Sequence, residues 1–190
     1  MDRSRSSPRR GYTLPVFACA GAIAALRHLI SSVQASNMVT LDLIEPAEIA
    51  EIPIEQVARL SETSVLAITR SDPGDNLDLT RHTPIWSVVS WGESAQSEQI
   101  CLEGGEGIGR HTEGAAIYSY ARKLLQTNLA LELSTDQKIK VTIILPAGRR
   151  LALRTSNAAF GVVDGLSLLG TSGIAQPLSA PGQLAEYRET

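Results

Sequence analysis

From residue 14 to residue 26 the chain is almost continuously apolar, and Val16, Ala20, Ile23, Leu26 or Arg27, Ile30 and Val33 recur at helical spacing. The pattern predicts a long amphipathic helix over about residues 15–32, with Pro15 near the first turn, where its missing N–H is harmless. The alanines and Gly21 would let a sheet or another helix approach closely. The period then changes: Val39, Leu41 and Leu43 alternate with Thr40 and Asp42, the mark of a half-buried strand over residues 38–44. Further extended pieces are expected at residues 49–54, 65–69, 85–91, 99–102 and 138–145. A second helix is read with Thr112 as its cap, Ile117, Ala121, Leu124, Leu125, Asn128 and Leu131 forming a mostly apolar stripe to about residue 133. Residues 162–169 read as a buried strand feeding a polar, glycine-bracketed loop, and residues 180–190 as a linker or tail. The fold class implied is α+β, with long helices packed on a mixed or mostly antiparallel sheet.

Three loops stand out between these elements. Residues 71–80, Ser-Asp-Pro-Gly-Asp-Asn-Leu-Asp-Leu-Thr, concentrate turn formers whose side chains bond their own backbone. Asp72, Asp75 and Asp78 fall at every third position, whereas calcium loops place ligands at alternate positions with a fixed glycine and a distal glutamate, so Asx-turn structure is expected and a protein-bound metal is not. Residues 104–110, Gly-Gly-Glu-Gly-Ile-Gly-Arg, hold four glycines in seven residues. Such a loop can expose N–H groups and approach a flat or anionic ligand, or it can be a hairpin or bulge without one. It lacks the Lys-Ser/Thr of phosphate loops and the spacing of a dinucleotide fingerprint. Arg149, Arg150 and Arg154 follow the last alternating strand; guanidinium groups suit a ligand rich in carboxylates, or simply solvent.

A net charge of −3 gives no basic footprint, which argues against nucleic acid as a partner. Cys19 and Cys101 are too few for a disulfide framework, and His28, His82 and His111 are dispersed, so no nucleophilic constellation emerges. Arg3, Arg5, Arg9 and Arg10 ahead of Ala18-Cys19-Ala20 imitate an export signal or a lipoprotein box. The apolar run is nevertheless too short to span a bilayer, and its stripe continues past Arg27 and His28 into Leu29 and Ile30. A cytoplasmic protein with no membrane partner is the expectation, an exported lipoprotein the alternative.

Taken together, the loops resemble the CbiD family, S-adenosyl-L-methionine-dependent cobalt-precorrin-5B C1-methyltransferases of anaerobic cobalamin biosynthesis. Gly11-Tyr12-Thr13 before an alanine-rich helix is similar to the family's opening motif. Asp72, Gly74, Asp75, Asp78 and Thr80 match its Asp-x-Gly-Asp-x-x-Asp-x-Thr, residues 104–110 match GGEGxGR, and residues 155–174 resemble its Thr-x-Asn and Gly-Thr-Ser-Gly-Ile segment. One departure is Leu14-Pro15-Val16-Phe17 where many members continue Thr-Gly-Thr-Cys, so no role for Cys19 carries over.

The resemblance implies a methyltransferase with S-adenosyl-L-methionine as methyl donor and a cobalt-precorrin tetrapyrrole, a broad macrocycle edged with carboxylates, as substrate. It implies substrate contacts from Asp72, Gly74, Asp78, Thr80, Gly104, Gly105, Gly107, Gly109, Arg110, Thr155, Asn157, Gly170, Thr171, Ser172 and Gly173. Asp75 and Glu106 are the candidates for proton handling. Family members are roughly twice this length, so residues 1–179 read as a CbiD-like N-terminal domain and residues 180–190 as a linker to an absent Rossmann-like domain. That domain would supply most of the methyl-donor site, and its loss would favour a homo-oligomer. A non-catalytic corrinoid-binding module is the second alternative. The three loops are expected to converge on one cleft.

Overall fold

The computed structural model describes residues 8–31, 36–112, 114–155 and 161–175. The long apolar run forms α1 (Leu14–Ile30), which begins after an extended Thr13 and carries Pro15 in its first turn. Every residue from Pro15 to Leu26 is buried, as is Leu29. The helix is therefore not amphipathic, because elements pack against it on several sides. No helix among the described residues is long and apolar enough to cross a membrane. Cys19 is fully buried, its Sγ 3.7 Å from the Leu124 carbonyl, and burial pushes its thiol pKa up. Cleavage and lipid attachment there would cut the helix at the centre of the core.

The chain supplies β1 (Gly11–Tyr12), β2 (Met38–Asp42), β3 (Ile49–Pro53), β4 (Gln56–Ser61), β5 (Ser64–Arg70), β6 (Pro84–Trp91), β7 (Ile100–Gly104), β8 (Arg110–His111), β9 (Gly114–Ala115), α2 (Ser119–Ala130), β10 (Ile139–Ile144), α3 (Gly148–Ala152) and β11 (Ile174–Ala175). The main sheet has the order β4-β5-β6-β10-β7, antiparallel except for the parallel pair β10 and β7. The α+β class with a mixed sheet is thus observed.

α1 lies close on β5 and β6. Thr69 Oγ1 donates to the Phe17 carbonyl at 3.0 Å and Ser87 Oγ to the Ala18 carbonyl at 2.9 Å, so buried hydroxyls of the sheet find their acceptors on the helix backbone. Gly21 permits that approach, since a Cβ there would lie 2.7 Å from Ser87 Oγ. The antiparallel β2–β3 hairpin buries Val39, Leu41, Ala50 and Ile52. α2 holds the end of β2: Asn128 accepts from the Asp42 N–H at 3.0 Å and donates to the Asp42 carbonyl at 2.9 Å, while the Tyr120 hydroxyl donates to the Leu43 carbonyl at 3.0 Å.

Three expectations are corrected here. α2 does not start from Thr112: its cap position is Tyr118, because residues 110–111 and 114–115 pair as β8 and β9. Leu131 lies beyond the helix and is 79% exposed. Residues 162–169 form no strand; Val163, Leu166 and Leu168 make isolated bridges to Arg110, Ile108 and Ile117, so this segment is a backbone seam along the glycine loop rather than a ladder.

Candidate functional site

The opening motif ties two loops together. Tyr12 N–H donates to the Asp72 carbonyl and Thr13 N–H to the Gly173 carbonyl, both at 3.0 Å, and Thr13 Oγ1 donates to the Ser172 carbonyl at 3.0 Å. β1 pairs antiparallel with β11. Gly11 must be glycine, because a Cβ would fall 1.9 Å from Gly74 N.

The three aspartates have separate partners. Arg9 donates from its guanidinium to both Asp72 oxygens at 2.7 and 2.8 Å, and its backbone N–H donates to Asp75 Oδ2 at 2.6 Å. Asp72 also caps its own turn at Gly74 N, and Asp78 Oδ1 accepts from Thr80 N and Oγ1, each at 2.7 Å. The Asx turns expected of this loop are present.

The hydrogen bonds from Arg9 hold the Asp72 carboxyl below the usual carboxylate range. A lowered native pKa stabilises the fold fully above the ordinary value of about 3.9, and that contribution disappears as pH falls through the native value. Asp72→Asn is accordingly expected to lower the urea midpoint at neutral pH and to match the parent near pH 2, with the neutral-pH difference shrinking as salt is added because the ion pair is exposed. An undiminished difference in acid would assign the effect to the Gly74 turn instead.

Asn76, Asp78, Thr80, Gly170, Thr171 and Ser172 line a cleft of about 460 Å³, with Thr13, Thr155, Leu166 and Ile174 completing its walls. A second cleft, of about 570 Å³, is lined by Arg149, Arg150, Leu153, Val163, Asp164 and again Thr155. Arg110 borders it through its backbone, since Arg110 N–H and Val163 N–H exchange bonds at 2.9 Å. Arg149, Arg150, Arg110 and Arg154 are exposed, and none takes part in an ion pair among the described residues.

The glycine loop lies behind these clefts instead of lining them. Gly109 N–H donates to the Leu166 carbonyl at 2.7 Å and Leu166 N–H to the Gly107 carbonyl at 2.9 Å, so the loop buttresses a wall residue of the first cleft. Gly105 N–H is also taken, by the Ile143 carbonyl at 2.8 Å. A Cβ would meet Ile108 Cγ2 at 2.7 Å from Gly104, Ile144 Cγ1 at 2.7 Å from Gly105, the Leu145 oxygen at 1.9 Å from Gly107 and Val162 Cγ1 at 2.4 Å from Gly109. The Cβ position of each of these glycines is filled by protein. Two of the three loops meet in one cleft, and the third supports it.

Glu106 is exposed and lines neither cleft, and Asp75, also exposed, is engaged by Arg9. Gly74 and Gly173 pack against Arg9 and Leu43, respectively. Asn157 and residues 176–179 lie outside the described residues. The residue missed by sequence reasoning is Asn76. It is 7% exposed, its Nδ2 donates to the Pro73 carbonyl at 2.9 Å, and its Oδ1 has no hydrogen-bond partner.

The CbiD family model matches residues 1–177. Proteins named cobalt-precorrin-5B C(1)-methyltransferase are similar to the chain: that of Nostoc sp. is 64% identical over 183 residues, covering 95% of this chain and 49% of its own length. The Gloeobacter violaceus protein of that name is 58% identical over 181 residues, covering 95% and 50%. In structure the chain is similar to the cobalamin biosynthesis protein cbiD from Archaeoglobus fulgidus, with a TM-score of 0.69 at 22% identity, covering 95% of this chain and 58% of the other. The chain belongs to the CbiD family. It spans about half the length of the curated relatives it matches.

Proposed function

We propose that the chain is the tetrapyrrole-holding part of an S-adenosylmethionine-dependent methyltransferase acting on C1 of cobalt-precorrin-5B. The observation that carries this reading is 56 to 64% identity, over about 95% of the chain, to relatives bearing that activity in their names. The geometry supports it through the second cleft, where Arg149 and Arg150 offer guanidinium groups to a ligand edged with carboxylates. Leu153 and Val163, 87% and 53% exposed, give the same cleft an apolar surface for the macrocycle.

The sulfonium supplies the methyl group by direct displacement: its C–S electron pair stays on sulfur as the ring carbon forms the new C–C bond. The chain's contribution is positioning and exclusion of water, which need neither a nucleophile nor a metal from the protein. Neither Asp75 nor Glu106 lines either of these two clefts, so proton handling is not assigned to them. The reading takes residues 1–179 as one domain and residues 180–190 as the connection to the portion of the relatives that the chain does not span.

Joining the 190-residue chain to that remaining portion of the Nostoc relative tests the proposal. Labelled methyl transfer from S-adenosylmethionine to cobalt-precorrin-5B is expected from the joined protein and not from the chain alone. Tight tetrapyrrole binding by the joined protein without transfer would replace this reading with a non-catalytic corrinoid-binding module.

A further inference from the structure

The unpartnered Asn76 carbonyl distinguishes the first cleft from the second. Asn76 Oδ1 is buried without a partner, and its orientation is fixed because Nδ2 already donates to the Pro73 carbonyl at 2.9 Å. A buried acceptor without a donor is costly, and a ligand that supplies the donor recovers that cost. The rest of the lining points to the same kind of ligand. Among the described residues Asp78 is the cleft's one charged lining residue, Leu77, Leu79, Leu166 and Ile174 supply apolar flanks, and no cation of the described residues lines it. Leu77 is 99% exposed, so its own side chain packs against nothing at that lip.

A macrocycle edged with carboxylates brings acceptors and negative charge, and would meet Asp78 and an acceptor oxygen unfavourably. The other reactant of the proposed methyl transfer carries what this cleft lacks: an aromatic amino group, a flat apolar ring and vicinal hydroxyls. A charged ammonium would pair better with the exposed Asp78 carboxylate than with the buried, neutral Asn76 carbonyl. We propose that the cleft between residues 76–80 and 170–175 is an aminopurine nucleoside site, with Asn76 Oδ1 accepting from the exocyclic amino group and Asp78 Oδ2 from the ribose hydroxyls. This rests on the proposed methyl donor, and it moves part of that donor's site into this chain, where the sequence reading placed hardly any of it. The two clefts then divide the reactants by charge, and Thr155, which lines both, marks where they adjoin.

Calorimetric titration of the 190-residue chain with S-adenosylhomocysteine, and with its inosine counterpart in which oxygen replaces the amino group, tests the assignment without mutation. The adenosine form is expected to bind about tenfold more tightly, the discrimination of a buried acceptor that loses its donor. Asn76→Leu should abolish that discrimination, and in the unaltered chain the Asn76 side-chain amide resonances should shift on addition of the adenosine form. Equal affinities for the two ligands, or no binding of either, would overturn the nucleoside site while leaving the methyl-transfer reading to its own assay. Discrimination through Asn76 in a joined protein that transfers no methyl group would uphold the site and overturn that reading.

Discussion

Gly107→Ala is expected to remove a large part of the stability of the domain. Gly107 has φ +77°, and an added Cβ would sit 1.9 Å from the Leu145 oxygen and 2.9 Å from its carbonyl carbon. Both are backbone atoms following β10, held by Leu145 N–H donating to the Glu106 carbonyl at 2.9 Å, so no side-chain rotation relieves the clash. The contact is reciprocal: a Cβ on Gly148 would lie 2.1 Å, and one on Gly165 2.3 Å, from the Gly107 oxygen. Three separate backbone segments meet at one carbonyl, and none has room for a methyl group. The left-handed conformation costs an alanine roughly 1–2 kcal/mol, and overpacking adds about 1–3 kcal/mol. Against a total stability of roughly 5–15 kcal/mol, the sum of about 2–5 kcal/mol should lower the melting temperature by about 5–15 °C. Gly161→Ala is the control, since its φ is +75° but nothing lies within 4 Å of the added Cβ. Thermal unfolding followed by circular dichroism should show a much smaller loss for Gly161→Ala; equal losses would mean that backbone conformation, and not the junction, makes Gly107 necessary.

That contrast also marks what the sequence made legible. β2, β3 and β5 were readable because burial alternates strictly along them, with one face on the core. β4 was not anticipated, since it is an edge strand with mostly exposed residues and no apolar alternation to read. α1 was placed within a few residues, but its all-round burial depends on a sheet, a hairpin and a helix that come later in the chain. The glycine loop was visible as a cluster needing unusual backbone; whether ligand or protein fills the space before it is decided by Leu145, Gly148 and Gly165, some 40 to 60 positions downstream. Asn76 sits among ordinary turn formers, and only burial without a partner separates it from them. Local chemistry was in the sequence, whereas vacancy and occupancy belong to the tertiary fold.

Removing Arg149 and Arg150 together is expected to weaken tetrapyrrole binding by about ten- to a hundredfold, with little change in stability. Both sit on the short α3 directly after the Gly107–Gly148 junction, exposed and outside any ion pair of the described residues, so truncation breaks no ion pair among those residues. A hydrogen bond to a charged group is worth about 1.5–3 kcal/mol when sheltered, but pairs open to solvent give only about 0–1 kcal/mol. Two arginines on a wide cleft fall between those limits, hence the range. Asp164, on the same cleft, makes the loss steeper, because without the arginines the described lining residues keep a carboxylate and no cation. The charge should be legible in salt dependence: affinity of the parent chain for a carboxylated corrinoid should fall as ionic strength rises, and the double variant should be nearly insensitive. Arg149→Lys with Arg150→Lys should recover the salt dependence but only part of the affinity, since an ammonium cannot form the bidentate pair. Unchanged affinity in the double alanine variant would place the substrate's carboxylates elsewhere. The position of these arginines next to the glycine junction then acquires a reason. A helix of five residues cannot hold its own orientation, and the backbone contact of Gly148 with Gly107 fixes its first residue against the sheet, so the rigidity tested by Gly107→Ala is also what aims the guanidinium groups at the cleft.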